Sequence, residues 1–240
     1  MKKIIFCGYM LSIYSILTVL FVPFTHAVVD NQHQNLALFQ HNGASVLPIT
    51  KINGIRYMIL GKEVRGYWDD FCGKADSDEN HCIKTAAREF MEEGLLEEVL
   101  GWDAQKTEDY ISLNSENTEV VVCTSGGFST LITSFDWADL AQNWFVSFHD
   151  KIQDKTLPRC KREKVTLCLV PFDECMDKIQ KRKKGTNVFV KGFFYDEKTQ
   201  KMKYFRSVWL RPFLVTKLFH YASDTIPVCT SDNDKVLFYS

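Results

Sequence analysis

Three glutamates, Glu89, Glu92 and Glu93, stand at positions i, i+3 and i+4 within the segment from Gly73 to Leu95, GKADSDENHCIKTAAREFMEEGL. At helical spacing their Cβ atoms lie about 5–6 Å apart, and like charges so placed cost an isolated helix roughly 0.2–0.5 kcal/mol per pair. Glu92 and Glu93 also fall in the last turn, where the helix dipole disfavours anions. A helix that needed only solubility would mix in lysines. Grouped carboxylates are hard oxygen ligands for Mg2+ or Mn2+, ions that keep their other positions for water and for phosphate oxygens. The chemistry within reach is therefore neutralisation of charge on a phosphate-bearing substrate.

A helix must hold these side chains, and the spacing predicts one from Ile83. Ile83, Ala86, Ala87, Phe90 and Met91 fall in one apolar stripe opposite the glutamates. Arg88 and Glu92 are four residues apart, which suits Arg88 to orient the glutamates by ion pairing.

The segment resembles the Nudix box, whose pattern is Gly, five residues, Glu, seven residues, then Arg-Glu-apolar-any-Glu-Glu-any-Gly-apolar. Gly73 and Glu79 keep the first spacing, and Arg88-Glu89-Phe90-Met91-Glu92-Glu93 matches the second half without a gap. There are two departures. Eight residues separate Glu79 from Arg88, and Gly94 follows Glu93 directly, leaving Leu95 where the pattern has glycine. The extra residue falls in a loop, where insertions are tolerated, and Gly94 is expected to end the helix one position early as a left-handed cap. The resemblance spans about residues 44–96.

That resemblance implies an α/β/α sandwich with a mixed β-sheet and metal-dependent hydrolysis of a nucleoside diphosphate linked to another moiety, with an ADP-ribose-like substrate as the first choice. It implies Mg2+ or Mn2+ held by Glu89, Glu92 and Glu93 with the Gly73 carbonyl, and Glu89, Glu93, Arg88 and a later-loop glutamate as the catalytic set. Glu163, just ahead of a strand at Lys164, is the later candidate for the base; a solvated loop charge is the alternative. Two rivals stand beside the enzyme. One is an exported, non-catalytic Nudix-like binding module, and the other an unrelated α/β protein with an acidic surface helix.

Elsewhere the pattern alternates irregularly between strands and helices. Asn53-Gly54 between Ala44–Thr50 and Ile55–Gly61 is a strong hairpin signal, and Trp68-Asp69-Asp70-Phe71 leads into Gly73. Residues 102–118 are polar enough for a surface insertion. Strands are expected at Val120–Cys123 and Ser129–Ser134, joined by Ser125-Gly126-Gly127. Trp137, Leu140, Ala141, Trp144, Phe145 and Phe148 predict a helix over 137–151 whose aromatic stripe is core. A strand at 164–170, a helix from Pro171 into the basic tract Lys181–Lys184, a hairpin over 188–208 and a helix from Arg211-Pro212 complete the chain.

The N-terminus has the pattern of a signal peptide. Lys2 and Lys3 precede an apolar run to about Val22, and Thr25-His26-Ala27 offers a cleavage site. Residues 1–27 are thus expected to direct export to the periplasm or the exterior, with an uncleaved membrane tether as the alternative, and residues 28–240 to form one domain. The formal net charge of −1 gives no electrostatic case for nucleic-acid binding. Beyond the signal, Cys72, Cys82, Cys123, Cys160, Cys168, Cys175 and Cys229 make an odd set without a CxxC pair. Cys72 and Cys82 flank the acidic loop at a spacing where a bridge is conceivable, and Cys168 suits a core.

Overall fold

The computed structural model describes residues 42–112, 117–124, 127–182, 186–196, 198–199, 201–222 and 238–239. Residues 1–27, expected to act as a signal, Cys229 and the Lys183-Lys184 half of the basic tract lie outside them. In chain order the strands are β1 (Gly43–Ile52), β2 (Ile55–Glu63), β3 (Trp68–Asp69), β4 (Phe71–Lys74), β5 (Thr118–Thr124), β6 (Phe128–Phe135), β7 (Lys164–Pro171), β8 (Phe189–Asp196), β9 (Lys201–Trp209) and β10 (Phe238–Tyr239). The helices are α1 (Cys82–Glu93), α2 (Leu96–Leu100), α3 (Ala104–Ile111), α4 (Gln142–Lys151), α5 (Phe172–Lys181) and α6 (Pro212–Ala222).

One sheet runs β10-β5-β6-β1-β2-β7-β8-β9, with β3 added to β2 and β4 to β1. β1 pairs parallel with β6 and antiparallel with β2 and β4, so the sheet is mixed, as expected. The β1–β2 hairpin turns on Asn53 and Gly54, both at positive φ, the conformation that an Asn-Gly turn supplies at least cost. At Asp70 the chain crosses from pairing with β2 to pairing with β1. That crossing delivers Phe71–Lys74 to the foot of α1.

Strand alternation sends successive side chains to opposite faces, and each face is covered. Leu47, Ile49, Met58, Leu60, Cys168 and Val170 pack with Phe172, Cys175 and Ile179 of α5 and with Leu214 and Leu218 of α6. On the other face Phe90 of α1 meets Phe71, Trp144 and Phe135 at ring separations of 5.1, 5.3 and 5.5 Å. Edge-on aromatic pairs of this kind add about 0.5–1.5 kcal/mol each beyond area burial. Trp137, Trp144, Phe145 and Phe148 are buried, so the aromatic stripe is core. Its helix opens with a π-turn over Trp137–Ala141 before α4.

Three expectations are corrected. Residues 102–118 are not merely a surface insertion: α3, capped by Asp103, buries Thr107 and Ile111 beside Trp102. Only two inward positions mark so short a helix, too few for a periodic signal. Gly94 does not take a left-handed conformation; its φ is −84°, and Leu95 adopts the left-handed geometry at φ 54° and ψ 35°. Gly94 is required for another reason, because a Cβ there would stand 2.5 Å from the Phe90 carbonyl oxygen. Cys72 and Cys82 both carry thiols rather than a disulfide, whereas Cys168 is buried in the core as expected.

Candidate active site

The carboxylate helix is capped at its start by His81, whose ring accepts from Lys84 N, and pressed onto the sheet by Phe90. Its polar edge is organised by Arg88. Arg88 Nε donates to Glu79 Oε1 at 2.8 Å, Nη2 to Glu79 Oε2 at 3.2 Å and to the Lys74 carbonyl at 2.8 Å, and Nη1 to Glu89 Oε1 at 2.7 Å. Glu92 Oε2 lies 3.9 Å from the same Nη1. The planar guanidinium thus ties the acidic loop, the end of β4 and the glutamate face together, a task that a point charge could not do.

Glu79, despite the extra loop residue, is docked. Burial alone would raise its carboxyl, but the bonds from Arg88, Asp76 N–H and the Thr85 hydroxyl outweigh it and hold the group down at about 2. Glu79 is therefore an ionised brace at neutral pH. Glu89 is displaced upward instead, first by burial and then by Glu92 and Glu163, although Arg88 opposes the shift.

Gly73 and Glu89 meet so closely that a Cβ on residue 73 would stand 1.9 Å from Glu89 Oε1. Any side chain there would displace the carboxylate. Glu93 is turned inward and is 4% exposed, its Oε2 accepting the Cys72 N–H at 2.8 Å and its Oε1 lying 3.5 Å from Lys164 Nζ. Burial pushes Glu93 up to about 8, with Glu89 and Glu163 adding to the shift and Lys164 and the Cys72 amide opposing it. Lys164 is fully buried, and its ammonium has ion-pair distances of 3.5 and 3.8 Å to Glu93 and Glu63 but no hydrogen-bond partner among the described residues. Glu163 is exposed at the end of the short 3-10 turn Cys160–Arg162. Lys161 of that turn bonds Glu97 at 2.7 Å and Glu98 at 2.5 Å, anchoring it to α2.

All the expected site residues thus surround the foot and polar edge of α1. The three glutamates do not converge on one point, however. Among the described residues the acidic and thiol ligand atoms that lie within 4.8 Å of one another are those of Asp69, Asp70 and Cys72. That cluster already has its cations. Asp70 Oδ2 accepts from Lys217 Nζ at 2.5 Å, the same Nζ reaches Ser45 Oγ at 3.1 Å, and Arg211 Nη1 bridges Asp69 at 2.8 Å and Glu63 at 2.9 Å. Burial favours a neutral Asp70, but Lys217 outweighs it and lowers the group; Asp69 rises to about 6 through burial and the neighbouring Asp70 charge. Two cations in contact make this a charge-compensated core rather than a metal centre.

The side chains along the polar edge of α1 are carboxylates, the donor type that a hard divalent ion takes, and Gly73 leaves open the space that the Glu89 carboxylate occupies, but their oxygens do not share one point in this arrangement. Sequence reasoning missed Glu63, Lys164, Arg211 and the Asp69–Asp70–Lys217 group. Adjacent aspartates between Trp68 and Phe71, and Lys217 within an apolar stripe, were the available signals.

Fold and site together define an α/β sandwich bearing a Nudix-like carboxylate helix. No family model matches the chain, and no curated protein does. Among solved structures it is similar to a Caenorhabditis elegans Ap4A hydrolase in a binary complex, at 14% identity and a TM-score of 0.35 over 56% of this chain and 82% of that one. A second structure of that hydrolase aligns at 13% identity and 0.32, over 56% of this chain and 83% of that one. A Listeria monocytogenes protein described as a NUDIX hydrolase gives 13% and 0.32 over 57% and 82%. At such values these likenesses assign no activity, and the functional reading rests on the side chains.

Proposed function

We propose that this protein is a Nudix-type pyrophosphohydrolase that cleaves a nucleoside diphosphate linked to another moiety, ADP-ribose-like in the first instance. The observation that carries the reading is the close seat of the Glu89 carboxylate on Gly73, held there by an Arg88 whose donors also engage Glu79 and Lys74. Glu89, Glu92 and Glu93 with the Gly73 carbonyl would hold Mg2+ or Mn2+, which when bound offsets the charge that builds on the diphosphate oxygens. Arg88 keeps the glutamate face in register. Glu163 is the candidate to accept the proton of the attacking water, being exposed and close enough to raise both Glu89 and Glu93. Export, directed by residues 1–27, belongs to the same reading, with an uncleaved tether as the alternative.

The binding-module reading is favoured by one observation: Glu89 and Glu93 already have internal partners, and the trio does not meet at one point. Turnover of a panel of nucleotide diphosphates, read by coupled phosphate release with and without Mg2+, separates the two. Metal-dependent turnover that falls at least about a hundredfold in Glu93→Gln supports the hydrolase. Intact nucleotide binding with no turnover under any metal supports the module.

A further inference from the structure

The basic residues that end α5 differ in their surroundings. Lys178 pairs with Glu174 at 3.5 Å and Lys181 with Asp177 at 2.6 Å, each one turn back along the helix, as at any solvated helix end. Arg182, which follows in extended backbone at ψ 149°, makes no ion pair among the described residues. Its guanidinium carbon lies 5.4 Å from the centre of the Phe219 ring of α6, and its Nε is buried with no hydrogen-bond partner among the described residues. A charged donor taken out of water without an acceptor is costly.

Arg182 stands in the wall of a cavity of about 670 Å3 between the end of α5, the start of β8 and the first turns of α6, on the sheet face opposite α1. Val188, Leu210 and Val215, all buried, give the cavity an aliphatic floor, which is closed where Leu210 N–H donates to the Val188 carbonyl at 3.1 Å. Phe219, 37% exposed, forms an apolar lip. Asn187 contributes a side-chain amide, whereas Thr216 contributes no donor, because its hydroxyl already donates to the Pro212 carbonyl at 3.0 Å. No acidic residue is among the described lining residues, and α6 begins at Pro212 in the same wall, so its positive end adds to the field of Arg182. The lining favours an anion, and it offers that anion one formal charge.

One guanidinium fork matches the two oxygens and the single charge of a carboxylate. A dianionic phosphate would call for a second cation. The aliphatic floor calls for a chain behind the head, and the volume falls within the range of about 300–1,000 Å3 typical of small-molecule sites. We infer that the cavity between α5 and α6 binds an amphipathic carboxylate, a fatty acid of medium chain length, with its head on Arg182 and its chain over Val188, Leu210 and Val215. The site lies across the sheet from the glutamates of α1 and needs neither metal nor nucleotide, so it stands or falls apart from the hydrolase reading.

The test is calorimetric titration of the full chain with decanoate, decanol, decyltrimethylammonium and butyrate, each below the concentration at which it forms micelles. Decanoate should bind at a single site. Decanol and decyltrimethylammonium keep the chain but lose or reverse the charge, and butyrate keeps the charge but lacks the chain; each should bind at least about tenfold more weakly. Arg182→Gln should weaken decanoate about 10- to 150-fold, the range for loss of hydrogen bonds to a charged group, with an unchanged circular dichroism spectrum and unchanged affinity for decanol. Thr216→Trp, a substitution at an exposed position of the wall, fills the cavity with Arg182 intact and should also abolish decanoate binding. No binding of decanoate, equal binding of decanol, or full binding to Arg182→Gln or to Thr216→Trp would overturn the inference.

Discussion

The outer edge of α1 and the buried polar group behind β4 solve the same problem in different ways. Each sets cations among crowded carboxylates. Outside, Arg88 is 22% exposed in its side chain and divides a fork of donors among Glu79, Glu89 and a carbonyl. Inside, Lys217 and Asp70 are 2% and 0% exposed, and their contact is a single short ion pair backed by Ser45. Water reaches Arg88 and Glu92 of the first, though scarcely Glu79. It does not reach the second. The outer brace therefore directs a functional surface at modest energetic stakes, whereas the inner pair is an all-or-nothing element of the fold.

The sharpest way to break this contrast is to remove one inner charge. Lys217→Met leaves Asp70 buried and unpaired, and urea unfolding should show a loss of about 3–5 kcal/mol. Asp70→Asn with Lys217→Met should recover most of that, because no uncompensated charge remains. A single variant as stable as the parent would mean that water enters the cluster. Arg88→Lys should cost less, about 1–2 kcal/mol, because a lysine ammonium still neutralises the buried Glu79 and the mostly buried Glu89 while losing the forked bonds, yet it should depress turnover more than stability, since a point charge cannot hold both Glu79 and Glu89.

The smallest effect is one of pH. Glu79 has a folded value of about 2, below its unfolded value near 4.5, so its contribution is present above about pH 4.5 and is lost as pH falls toward 2. Between pH 5 and 3 the urea midpoint should decline, and Glu79→Gln should flatten that decline by about 1–2 kcal/mol. Equal slopes for the two proteins would show that Glu79 is not the ionised brace described above.

The periodic parts of the fold are legible in the sequence. Asn53-Gly54, the Ile83–Met91 stripe and the aromatic stripe from Trp137 each repeat a pattern that one local geometry satisfies. Leu95 was not legible. It stands at left-handed φ, a conformation costing a non-glycine residue about 1–2 kcal/mol, and what holds it there is complete burial of the side chain. Burying a leucine is worth about 1.5–3 kcal/mol, so packing offsets the backbone penalty. Leu95→Gly should accordingly lower stability despite relieving the backbone, with a net loss of about 0.5–1 kcal/mol by urea unfolding.

The candidate site divides along the same line. Arg88 and the glutamates could be read from spacing, because residues three and four apart on a helix are neighbours whatever surrounds it, whereas Gly73 entered only through the resemblance to the Nudix box. The partners of those residues could not. Lys164 looks like a solvated charge in the linear pattern, and Lys217, although it falls in an apolar stripe, has no visible partner there, while burying an ammonium is costly unless an anion is waiting for it. Only the packing of β4, β7 and α6 brings Glu93 and Asp70 to meet them, and that choice is made by the tertiary fold.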